Sequence, residues 1–306
     1  MSQLKALINR NFKLFFKDKG LFFVSLITPM ILLVLYATFL SNIYRDSFLL
    51  GAGEASGLIK DKVLDGLVGG QLFASLLAVS CVTVSVCSNM LMVQDRANGC
   101  ANDLLITPVK SSTMALGYYI STLLTTLLIC FSACAVCFIY LAVIGWFMSF
   151  VDVILILIDV IILVVFGTAL SSVINFFLSS QGQISAVGTI ISSTYGFICG
   201  AYMPISNFSD GLQKVVSFFP GTYGTALIKN HALKGVFKQM SADGVPEVVI
   251  ESMKSSVDCH VNFFGNKVEV WATYLIMILT DLTLIGAYIL LCKYCKRKKA
   301  KKVKSK

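Results

Sequence analysis

Residues 152–177 read DVILILIDVIILVVFGTALSSVINFF. Apart from Asp152 and Asp159 nothing in this run is charged, and it exceeds the roughly 20 residues that an α-helix needs to cross bilayer hydrocarbon. In lipid a backbone can satisfy its own polar groups only as a helix or a closed barrel, and an uninterrupted apolar run with no period of two reads as a helix. Comparable runs lie at about 21–44, 67–93, 113–144, 183–203 and 271–292. The chain of 306 residues is 57% apolar and 13% charged, too little charge to cover a soluble domain of this size. The expected fold is therefore an all-α integral membrane protein with six transmembrane helices.

The net charge of +9 gathers at the two ends. Lys5, Arg10, Lys13, Lys17 and Lys19 precede the first run, and Lys293, Lys296, Arg297, Lys298, Lys299, Lys301, Lys302, Lys304 and Lys306 follow the last. Basic clusters that abut spans read as positive-inside anchors to anionic lipid, not as a nucleic-acid surface. Both termini are expected in the cytoplasm of a plasma-membrane protein, which requires an even number of spans. Most cysteines sit inside apolar runs, and Cys259-His260 lacks further metal ligands, so neither a disulfide framework nor a metal site is expected.

The interruptions between spans carry the rest. At 100° per residue, 3–19 is amphipathic: Phe12, Phe15 and Phe16 fall in an apolar sector with Arg10, Lys13 and Lys17 opposite, as in a helix lying in the membrane interface. The segment 94–112, QDRANGCANDLLITPVKSS, leaves the second span with Asp95 and Arg96 and turns at Asn98-Gly99. Asp103 then opens a short helix that presents Leu104, Leu105 and Ile106 before Thr107-Pro108-Val109 ends it. An apolar tip held at the membrane face has the shape of a plug for a partner's groove. Residues 204–270 form the longest stretch outside the spans. Its first part, broken at Pro204, Pro220 and Gly221, suits two short re-entrant helices, and 235–268 suits an exposed outer lobe that includes His260. The chain lacks a phosphate-cradling loop, so if it does energy-requiring work the source is another chain or an ion gradient.

Three of these features together resemble ABC-2 type (type V) ABC exporter permeases. An acidic residue, a glycine and a Leu-Leu-x-Thr-Pro-Val element match Asp95, Gly99 and Leu104 to Val109, although Asn98 and Cys100 stand where the family usually has Glu and Thr. A Gly-x-x-x-Pro-Ile motif and a later Phe-Pro-x-Thr-Tyr motif match Gly200, Pro204, Ile205, Phe219, Pro220, Thr222 and Tyr223. The N-terminal amphipathic helix resembles the family's connecting helix. The resemblance implies one transmembrane domain over 1–306: an interfacial helix (1–20), five spans with a coupling element at 94–112 (21–203), an outer gate (204–270), the sixth span (271–292) and a basic tail (293–306). It implies no cofactor on this chain, ATP and Mg on a separate ABC ATP-binding subunit, a second permease copy or paralogue as partner, and outward transport of a hydrophobic or amphipathic compound such as a drug, antibiotic or lipid.

Asp159 and Asp281 fall inside expected spans, where a charge costs about 2.5–3.5 kcal/mol on insertion scales. No Lys or Arg lies in any span to pair with them, so each reads as a hydrogen-bonded carboxyl that joins helices. The rival reading makes them the relay of a proton-coupled secondary transporter. A third, a scaffold without transport, would leave 94–112 to bind another protein.

Overall fold

The computed structural model describes residues 3–100, 103–104, 107 and 109–304. The chain begins with α1 (Gln3–Lys17) and α2 (Lys19–Leu35), continues through a π-helical turn (Tyr36–Leu40) into α3 (Ser41–Ala52), and passes a 3-10 turn (Gly53–Leu58). It returns along α4 (Asp61–Ser88) and α5 (Met90–Ala97), then runs through α6 (Ser111–Ile144), α7 (Phe150–Phe176) and α8 (Gln181–Ile198). Beyond α8 come a 3-10 turn (Ile205–Asn207), α9 (Asp210–Val216), α10 (Pro220–Ala242) and α11 (Glu247–Ser256). A two-stranded hairpin pairs Asn262 with Lys267 and Phe263 with Asn266, and α12 (Val270–Lys304) ends the chain.

Among the described residues four helical stretches are long and apolar enough to cross a membrane: Asp61–Ala97, Ser112–Ile144, Phe150–Phe176 and Val270–Tyr294. They coincide with the second, third, fourth and sixth expected spans. The expected first and fifth spans are not among them. α2 passes into the π turn after Leu35, and α8 is diluted by Gln, Ser, Thr and Gly. The first helical segment also outlasts its expected end at residue 44, because Arg45 bonds Asp61 and Asp65 across to α4 and the polar stretch stays helical to Ala52.

α4 is the axle of the bundle. In its most apolar part 89% of residues are buried, against 28% in α6 and 17% in α12, so the outer helices supply its surroundings and are themselves largely exposed. α7 starts at a capping box in which Ser149 and Asp152 satisfy each other's backbone N–H groups. Between α6 and α7, Phe147 wedges its ring against Gly66 of α4 while its carbonyl lies under Gly235 of α10. It is a packed wedge, not the interfacial anchor that an aromatic at a span end suggests.

The stretch after α8 differs from expectation. Only α9 is short; α10 has 23 residues and packs against α4, α7 and α12. It runs beside α7 from Gly224, next to Leu163, to Gly235, next to Phe147. The polar segment expected as an exposed lobe also has a core of Val236, Phe237, Met240, Ile250, Met253, Val257 and Cys259. Elements therefore gather at two poles. One holds α1, α5, the start of α6 and the ends of α7 and α12; the other holds the 199–219 loops, the end of α10, α11 and the hairpin.

Candidate functional site

At the α1 pole, the structure ties the chain's front helix to α5. α1 buries Leu7, Asn11 and Phe15, one turn apart, against α6. Phe16 packs 5.6 Å from Phe22 and joins α1 to α2, Phe12 stacks 4.8 Å from Phe16, and Lys13 and Lys17 face outward. Arg10 does not join them. Its guanidinium turns inward to grip Asp95 with both nitrogens (Nη1–Oδ2 2.7 Å, Nη2–Oδ1 3.2 Å), and the Tyr118 hydroxyl of α6 donates to the same carboxylate at 2.5 Å. The bond to Asp95 holds Arg10 charged more firmly than a free arginine. Such two-point pairs fix orientation as well as energy.

Arg96 also faces inward. It donates to the carbonyls of Asn175 (3.1 Å), Phe176 (2.8 Å) and Leu178 (3.3 Å), the orphan acceptors at the end of α7, and lies 5.6 Å over the Phe176 ring. Asp95 and Arg96 thus bond inward to α1, α6 and the end of α7 at the root of the expected coupling element. Beyond them Gly99 turns the chain with φ +82°, Asp103 and Thr107 are exposed, Leu104 and Val109 are half-exposed, and Thr107 Oγ1 donates to the Leu104 carbonyl at 2.6 Å. Leu105, Ile106 and Pro108 lie outside the described residues.

At the opposite pole the two loop motifs meet. Gly200 adopts φ +70°, and a Cβ there would fall 2.8 Å from Ile205, so only glycine fits. Its carbonyl accepts from the ammonium of fully buried Lys229 at 2.8 Å. Asp258 receives the backbone N–H groups of Ile205 (2.5 Å) and Ser206 (3.3 Å), which starts the 3-10 turn after Pro204, and lies 3.9 Å from Lys229. The second motif makes the α9–α10 corner. Phe219 precedes α10, Pro220 opens it, Thr222 Oγ1 donates to Val216 O at 3.0 Å, and the Tyr223 hydroxyl donates to Ser217 O at 2.8 Å. Side chains of α10 thereby satisfy carbonyls left open at the end of α9.

A third polar cluster lies inside the bundle. Asp159 of α7 is reached by His231 of α10 (Nδ1–Oδ2 2.6 Å) and by the Tyr274 hydroxyl of α12 (2.5 Å to Oδ1). His231, which sequence reading leaves in an outer segment, is 4% exposed. Asp281 is separate: it lies seven residues past Tyr274, about 10 Å along α12, and its Oδ1 has no protein partner. No bond between Asp159 and Asp281 occurs among the described residues.

A family model described as ABC-2 type transporter matches residues 2–230. This chain belongs to the ABC-2 type transporter family. A search of curated proteins found no significant match. An ABC-2 membrane domain is a permease component, not an ATPase, and such domains generally partner with an ATP-binding subunit.

In this ABC-2 permease the structure brings Arg10 to Asp95, Gly200 and Ile205 to Lys229 and Asp258, and Asp159 to His231. Sequence reading missed Tyr118, Lys229, His231, Asp258 and Tyr274. Part of the signal was present: Thr222, Thr225 and Lys229 recur at intervals of three and four, a polar stripe on one helix face. Asp159→Ala strands its partners, buried His231 and half-buried Tyr274, and we expect a loss of about 2–4 kcal/mol of stability. Asp159→Asn, which keeps an acceptor, should lose clearly less. Thermal unfolding of both variants in detergent checks this; equal losses would mean that the cluster is not held by its hydrogen bonds.

Proposed function

We propose that this permease is the membrane subunit of an ATP-driven exporter that moves a hydrophobic or amphipathic compound outward across the plasma membrane. In this reading the chain crosses six times, with α2–α3 and α8 as the remaining spans, and the α1 pole faces the cytoplasm. ATP and Mg sit on the partner ATPase, which the segment around Leu104 engages. The Arg10–Asp95–Tyr118 clamp carries the proposal: it ties α1, the root of the coupling element and α6 into one unit, so that a push from a partner is passed to the bundle and not lost in a loose loop. The 204–242 region supports an outer gate, since its corner and its glycine turn are held by side-chain bonds that can form or break together.

Co-purification tests the reading. From cells that co-express the ATP-binding subunit, tagged wild-type chain should bring it down, and Leu104→Asp should reduce recovery about tenfold, as expected when a charge enters an apolar contact. Full recovery with Leu104→Asp would remove the coupling role of this segment. The Asp159–His231 contact favours one rival, a proton-coupled transporter, which predicts uptake into vesicles driven by a pH gradient with no ATPase present.

A further inference from the structure

The two loop motifs wall a single cavity of about 330 Å³ at the pole opposite α1. Its mouth is formed by exposed residues of the 205–207 turn and the end of α11 (Ser255, Ser256), and its floor by buried Thr222, Thr225 and Lys229 of α10. The volume lies within the range of small-molecule sites. Beside the polar side chains of Asn207, Gln213 and Asn262, four lining hydroxyls commit their protons to backbone. Ser217 gives its proton to the Lys214 carbonyl (2.8 Å), Thr222 to Val216 (3.0 Å), Thr225 to Gly221 (3.0 Å) and Ser256 to Met253 (2.8 Å). With those protons committed to backbone, the four hydroxyls have only lone pairs left for a ligand.

Two opposite charges line the cavity 3.9 Å apart, and the more exposed of them is an acceptor. Lys229 is fully buried and its ammonium is held by Gly200, whereas the Asp258 side chain retains 14% exposure. Asp258 accepts one backbone N–H on each oxygen, which leaves lone pairs on both. It also sits at φ +56°, a conformation that non-glycine residues adopt at a cost and that concentrates at ligand sites. Burial raises the Asp258 carboxyl above the usual range despite Lys229, so a cation arriving from solvent would favour its charged form. His260, on the same wall, is pushed by burial toward its neutral form and does not repel a cation.

We propose that this cavity binds compounds bearing a protonated amine, with Asp258 as the charge partner and the threonine and serine hydroxyls as acceptors. The site deepens the exporter reading by naming a substrate class: the amine head of an amphipathic compound docks here on its outward path.

The test uses the purified full-length chain in detergent and three probes: dansylcadaverine, a primary amine on an apolar ring system; its neutral N-acetyl derivative; and tetraphenylphosphonium, a cation without N–H groups. Dansylcadaverine should bind about tenfold more tightly than either of the other two, the size of one charge-assisted hydrogen bond. Asp258→Asn should erase that preference, and the near-isosteric Thr225→Val should weaken the amine about threefold. Equal binding of the amine and its acetylated form to the wild-type protein overturns the proposal, even if Asp258→Asn fails to fold. So does an amine affinity unchanged by Thr225→Val. No measurement here requires ATP or an ATPase, so a negative result removes the amine site while leaving the exporter reading to its own co-purification test.

Discussion

Asp95→Ala is expected to release α1 from the bundle and to destabilise the α1 pole by about 2–3 kcal/mol. The carboxylate is 6% exposed and accepts three hydrogen bonds, two from Arg10 and one from Tyr118. Breaking a buried ion pair by removing one partner costs about 3–5 kcal/mol, and the loss here falls at or just below that range because the Arg10 side chain, 32% exposed, regains part of its solvation. Hydrogen exchange checks this directly: amides of Gln3–Lys17 should exchange about 30-fold or more faster in Asp95→Ala than in wild type, while those of α4 stay protected. The triple variant Arg10→Met, Asp95→Leu and Tyr118→Phe should recover much of the protection, since it removes the buried Tyr118 hydroxyl together with both charges. If α1 exchanges no faster in Asp95→Ala, the clamp does not hold it, and the mechanical argument for coupling fails with it.

The second large effect is expected at Gly235. A Cβ at this position would lie 1.9 Å from the carbonyl oxygen of Phe147 and 2.7 Å from its carbon. Both atoms are backbone, so no rotamer change relieves the contact. The loop between α6 and α7 would have to move, yet its Phe147 ring is already lodged against Gly66. Overpacking typically costs about 1–3 kcal/mol when side chains can adjust, and more when they cannot. Gly235→Val should therefore abolish the monodisperse peak in fluorescence-detected size exclusion. Gly182→Ala, with nothing within 4 Å of the added Cβ, should leave the peak intact. A monodisperse Gly235→Val protein would show that α10 and the α6–α7 loop do not meet as described.

The parts of the fold that can be read from sequence are those whose causes are local. α6 and α7 begin and end within about two residues of their expected limits, because long apolar runs stop at polar punctuation and Ser149 and Asp152 mark the start of α7 without outside help. The parts that cannot be read depend on partners far along the chain. α10 holds Lys229 and His231, which in isolation mark a segment as solvent-facing. Their burial is settled by Gly200, 29 residues away, and Asp159, 72 residues away. In the same way Asp95 and Arg96 look like surface charges beside a turn. Only the approach of α1 and the end of α7 shows that both point inward. The motif residues Gly200, Thr222 and Tyr223 were visible as a pattern, but their work, a positive-φ turn and a capped corner, needed coordinates.

The π turn at Tyr36–Leu40 has a consequence for how this chain tolerates change in length. Such a turn is an α-helix with one residue too many, and that residue advances everything beyond it by about 100°. Phe48 and Ala52, the buried residues of α3, therefore face the bundle because of how many residues precede them, and not because of any preference of their own. A one-residue deletion within 36–40 would leave the composition of the segment nearly unchanged and yet turn its inner stripe toward lipid. Substitutions along the same five residues keep the register, although at Tyr36, which is buried in the core, they still cost packing. In this stretch of the chain the number of residues decides which face of α3 turns inward.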